Sequence, residues 1–114
     1  MMEIRTRKEK NAMVVSVKGR MDGVSSPDFE KQVSELLAEG EKDFIVDFGE
    51  LDYISSAGLR SVLTILKDLK ERNGKLLLCS LKDLVKNVFD ISGLSRAIPS
   101  YETVESALSD LKTS

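Results

Sequence analysis

Three short apolar runs, MVVSV (Met13 to Val17), DFIVDF (Asp43 to Phe48) and KLLLCS (Lys75 to Ser80), are separated by longer stretches whose apolar residues recur at helical spacing. This alternation constrains the fold more than anything else in the chain. Strands joined through helices pair in parallel, by right-handed crossovers, because a tight hairpin can only reverse the chain. In the first crossover Phe29, Val33, Leu36 and Leu37 keep one face. Ser26 before Pro27 and Asp28 predicts an N-cap, a proline at the first helical position and acid in the first turn, and Gly40 ends the run. The second helix is predicted from Ser56 onward, with Leu59, Val62, Leu63, Leu66 and Leu69 inward and Lys67, Asp68, Lys70 and Glu71 outward, stopping at Asn73-Gly74.

The ends complete the pattern. Glu3 to Arg7 and Met13 to Val17, joined by the turn KEKN, read as an opening hairpin. GELDY, after the DFIVDF strand, reads as a loop. Leu84, Val85, Val88 and Phe89 predict a short third helix closed by Ser92-Gly93, Ala97-Ile98 a minimal strand before Pro99, and Val104, Ala107, Leu108 and Leu111 a last helix. The expected fold is α/β: a mixed sheet, mostly parallel with an antiparallel N-terminal hairpin strand, and four helices in the order ββαβαβαβα. At 114 residues, residues 1–114 are expected to form a single domain.

Composition excludes several function classes. The chain carries 17 basic and 19 acidic residues, net −2, without a basic cluster or stripe, so no nucleic-acid partner and no direct membrane contact are expected. No apolar run approaches the length of a spanning helix and the first residues resemble no signal peptide, which points to the cytoplasm. Histidine is absent and Cys79 stands alone in an apolar run, where it reads as a small core residue. Those two facts remove His-activated nucleophiles and argue against a zinc site. No Walker-type loop and no Gly-x-Gly-x-x-Gly follows a strand, so no cofactor and no metal are expected.

Three places carry sharper chemistry. In ISSAGL, Ser55 or Ser56 caps the second helix through its hydroxyl, while Ala57 and Gly58 stay small where the chain turns against the sheet. The same position suits a phosphate, because a helix N-terminus presents free N–H groups and a positive dipole end. In GRMDG, Asp22 is a turn acid; loops leaving the carboxyl ends of parallel strands converge, which brings it toward Ser56. Asp47 sits where a phosphoaspartate receiver domain carries its acceptor, but the opening hairpin and the absence of a lysine in AIPSYE count against that fold.

With VKGRMDG, FIVDFGELDYISSAGLRSVL, NGKLLLCSL and VKNVFDISGL together, nearly the whole chain resembles the STAS domain, and within it the single-domain bacterial anti-sigma factor antagonists. The resemblance implies a regulatory binding protein in transcription control, not an enzyme, with no catalytic residue. Members are phosphorylated two residues before the motif glycine by a GHKL-type serine kinase that is also the anti-sigma factor, and are reset by a metal-dependent serine phosphatase. Counting back from Gly58 implies Ser56. Ser55 replaces the Asp that many relatives carry there and offers an alternative hydroxyl.

A phosphate adds about −1.5 to −2 charges and three acceptor oxygens. At a helix N-terminus this is expected to leave the fold intact and to change the docking face, with Asp22 and Asp52 bordering it. Met21, Asp22, Gly23, Val24, Ser55, Ala57, Gly58, Leu59 and Arg60 are the candidate partner contacts. The alternative is a STAS subunit of a stress-sensing or lipid-transport complex in which the serine is only a cap.

Overall fold

The computed structural model describes residues 2–113. The elements are β1 (Met2–Glu9), β2 (Ala12–Met21), α1 (Ser26–Ala38), β3 (Asp43–Ile54), α2 (Ser56–Glu71), β4 (Lys75–Cys79), α3 (Asp83–Ser92), a 3₁₀ turn (Leu94–Arg96), β5 (Ser100–Tyr101) and α4 (Val104–Thr113). The order ββαβαβαβα is the expected one. The strands lie in chain order, β1-β2-β3-β4-β5, with β1 antiparallel to β2 and every other pair parallel.

Consecutive right-handed crossovers in such an order must place α1, α2 and α3 on one face of the sheet. The two cores record this. Val15 and Val17 of β2 and Phe44, Val46 and Phe48 of β3 pack with Phe29 of α1, Ile65 of α2 and Phe89 of α3. The intervening strand residues, Val14, Ile45, Leu77 and Cys79, point the other way and are covered by Val104 and Ala107 of α4. Alternate side chains of one strand thus serve opposite cores, which is why these strands are apolar throughout rather than every second residue. Cys79 is fully buried, as expected, and that burial pushes its thiol up to about 11. Thiol reagents at neutral pH should therefore leave the native protein unmodified and label Cys79 only on denaturation; mass spectrometry after iodoacetamide treatment checks this.

Several boundaries differ from expectation. GELDY is not a loop: β3 continues through it to Ile54, because Leu51 and Ile54 are buried and its backbone pairs with KGRM of β2. The ladder shifts register between Ser16 and Lys18 and again between Gly19 and Arg20. The hairpin turn is shorter than KEKN, since Lys8 and Glu9 still pair with Met13 and Ala12. Ser26 is the first residue of α1 rather than its cap; Ser25 holds the cap position, and the Ser26 hydroxyl donates to the Asp22 carbonyl. The last strand is Ser100–Tyr101, not Ala97-Ile98: Ile98 is buried beyond the 3₁₀ turn, and pairing begins only where the chain reaches Leu78 and Cys79.

Candidate functional site

The carboxyl ends of β2, β3 and β4 lie side by side, so the segments leaving them form one edge. At its centre β3 passes into α2 with a single residue, Ser55, between them. Ser55 is extended, and its Oγ accepts the Gly58 N–H at 3.2 Å, the geometry of an N-cap. Its own N–H donates to the Met21 carbonyl at 2.9 Å, tying the start of α2 to the end of β2. Ser56 follows as the first helical residue, exposed, and its hydroxyl makes no hydrogen bond to the described residues. The two serines, either of which the sequence allows as the cap, are therefore different: Ser55 is the cap and Ser56 the open hydroxyl. Replacing Ser55 with alanine should cost about 1 kcal/mol, measured by urea unfolding.

The segment from Asp22 to Ser25 forms a closed turn beside this junction. Asp22 Oδ1 accepts from the Val24 N–H at 3.0 Å, the Ser25 N–H at 3.0 Å and the Ser25 hydroxyl at 3.1 Å. Those bonds, that of the Ser25 N–H foremost, hold the Asp22 carboxyl below the ordinary aspartate range. Asp22 is thus a turn-building acid, and its neighbour Val24 stands 91% exposed. Because Met21 bonds to Ser55, the Asp22 turn and the α2 N-terminus belong to one surface.

The other named residues divide by burial. Met21 and Gly58 are buried, so they give this edge position rather than contact area; Gly58 allows α2 to lie against Ile54 and the Met21 carbonyl. Gly23 and Arg60 are exposed, Asp22 and Ala57 half-buried, and Leu59 is half-buried with its side chain against the core. Asp47 lies within β3, not at its end, and its Oδ1 accepts the Gly49 N–H at 2.8 Å, which removes the strand-end setting of a receiver acceptor.

Four features of this edge escape a reading of the sequence. Arg20 stacks over the Tyr53 ring, its guanidinium carbon 4.3 Å from the centroid, a cross-strand pair set by the shifted ladder. Asp52 pairs with Lys82 at 2.7 Å, and that bond lowers the Asp52 carboxyl below its usual range. The Ser61 hydroxyl donates to Glu30 at 3.0 Å, bridging α2 to α1. A cleft of about 170 Å³ opens beside that bridge, with Gly23, Ala57 and Arg60 among its walls. Among the described residues no group of three His, Cys, Asp or Glu side chains is placed to hold a metal ion.

Comparison with known proteins agrees with this architecture. The model of the STAS domain family matches residues 3–107. BtrV of Bordetella bronchiseptica, named as a candidate anti-sigma factor antagonist, is 37% identical over 101 residues, 89% of this chain and 87% of that protein. The anti-sigma F factor antagonist of Paenibacillus polymyxa is 24% identical over 112 residues, covering 97% and 96%. Among solved structures, the anti-sigma factor antagonist SpoIIAA superposes in its unphosphorylated form with a TM-score of 0.86 at 21% identity, over 98% of each chain. Its phosphorylated form, from Bacillus, superposes at 0.76 and 21%, over 96% of this chain and 99% of that one. Fold, central motif and sequence identity together place this chain in the STAS domain family.

Proposed function

We propose that this chain is an anti-sigma factor antagonist whose activity is set by phosphorylation of Ser56. Unmodified, it binds an anti-sigma factor that is also a GHKL-type serine kinase, and the sigma factor is released. The kinase transfers the γ-phosphoryl group of ATP to the Ser56 hydroxyl; the phosphorylated chain no longer binds, and a metal-dependent serine phosphatase restores it. All of this takes place in the cytoplasm, where ATP and the sigma factor are. The chain acts as substrate and binding partner, with no catalytic residue of its own.

The observation that carries this is the division of labour at ISSAGL. Ser55 satisfies the Gly58 N–H, which leaves Ser56 exposed at the first helical position with its hydroxyl unengaged. A phosphate there meets the positive end of the α2 dipole, so the modification needs no refolding. It also puts an anion in the middle of the surface formed by the Asp22 turn, Val24 and the first turn of α2.

Peptide mass spectrometry of the wild type, Ser56→Ala and Ser55→Ala after incubation with ATP and the GHKL-type kinase of the same organism tests the assignment. A single phosphate absent only from Ser56→Ala is the expected result. No phosphate on the wild type, with a kinase that phosphorylates its own known substrate, would leave ISSAGL a helix start capped by Ser55 and favour the fixed subunit of a stress-sensing or lipid-transport complex.

A further inference from the structure

We propose that Arg60 is the cation that holds the phosphate once Ser56 is modified, so that one phosphorylation both adds an anion and withdraws a free guanidinium from the docking face. This rests on the assignment of Ser56 above. Ser56 and Arg60 are four residues apart on α2 and share an exposed face. Helical side chains lean toward the N-terminus, so a guanidinium at position 60 is within reach of the first turn and of a phosphate on Ser56.

Arg60 is a cation of this edge with neither an ion pair nor a ring contact among the described residues. Lys82 is paired with Asp52 at 2.7 Å, Lys18 lies 3.9 Å from Glu50, and Arg20 is stacked on Tyr53. Arg60 makes no ion pair among the described residues. Of the acids near it, Asp22 Oδ1 closes its own turn, Asp52 has Lys82, and Glu30, across the cleft that Arg60 lines, accepts one bond from Ser61 and keeps its charge. A phosphate dianion on the same helix face offers more charge and three oxygens to a planar fork of N–H donors, the pairing a guanidinium favours.

Two changes at the docking face then come from one event. A partner carboxylate that meets Arg60 in the unmodified chain loses that contact at the moment the phosphate appears. Binding is lost through a missing attraction as well as through a new repulsion.

The test is ³¹P NMR titration of the full chain with phosphoserine incorporated in place of Ser56 by genetic encoding, which requires no kinase. A neighbouring cation favours the dianion and lowers the second phosphate pKa. The midpoint is expected about one unit below the value of about 6 for free phosphoserine. Arg60→Gln should raise it by about half a unit or more, Arg60→Lys should fall between, and Arg20→Gln should match the wild type. The α2 dipole acts equally in all four and cancels in the differences. An Arg60→Gln midpoint equal to that of the wild type overturns the proposal. Failure of the kinase to modify Ser56 would overturn the functional assignment instead, and the titration would be unaffected by it.

Discussion

Gly58→Ala is expected to destabilise the protein by about 2–3 kcal/mol, although alanine is the better helix former by about 1 kcal/mol. A methyl group at this position would stand 2.7 Å from Cγ1 of Ile54 and 2.8 Å from the Met21 carbonyl oxygen. Both distances are inside van der Waals contact, and the second neighbour is backbone that already accepts the Ser55 N–H. Relief requires α2 to lift from the β2–β3 ladder, and the steric penalty outweighs the gain in propensity. Gly23, in the adjoining turn, has nothing within 4 Å of the same added atom, so Gly23→Ala should change stability by less than about 0.5 kcal/mol. Urea unfolding of the two variants beside the wild type measures the contrast, and equal stabilities would show that α2 is not seated as tightly as described.

The second large effect is on binding. Phosphate on Ser56 should weaken the complex with the kinase at least about 100-fold, about 2.8 kcal/mol at 1.4 per tenfold, since a like charge set against an interface costs several kcal/mol. Ser56→Ala should bind within a few-fold of the wild type, because Ser55 and not Ser56 makes the cap bond to Gly58. The thermal unfolding midpoint of the phosphorylated chain should stay within a few degrees of the unmodified one, the N-terminus of α2 being favourable to negative charge. Calorimetric titration together with thermal melts separates the two quantities. Undiminished binding by the phosphorylated chain would rule out the switch, and a large loss of stability would mean that the switch works by unfolding.

How much of this the amino-acid sequence discloses depends on how local each cause is. MVVSV, DFIVDF and KLLLCS are legible as buried strands because their apolar character is local and both of their faces are covered. GELDY is not, because three of its five residues are charged or glycine and its strand conformation comes from pairing with β2 across a shifted ladder. The two residues of β5 are defined by Leu78 and Cys79 opposite them, and nothing in Ser100-Tyr101 itself signals a strand. The site divides the same way. ISSAGL announces a helix start, yet the roles of its two serines follow from which hydroxyl faces the Gly58 N–H. The Arg20–Tyr53 stack and the Lys82–Asp52 pair, the latter 30 residues apart in the chain, exist only once the strands are in register.

The chain-order sheet gives the molecule two poles with different freedoms. The junctions after β2, β3 and β4 stand in a row at one pole, whereas the Lys10–Asn11 hairpin turn and the starts of β2 and β3 lie at the other. One pole is a reading head, where the proposed docking surface lies; the other is a handle. Strands of rigid β-structure separate them, so a label, a tether or an inserted segment at the hairpin turn can be carried without the reading head sensing the load.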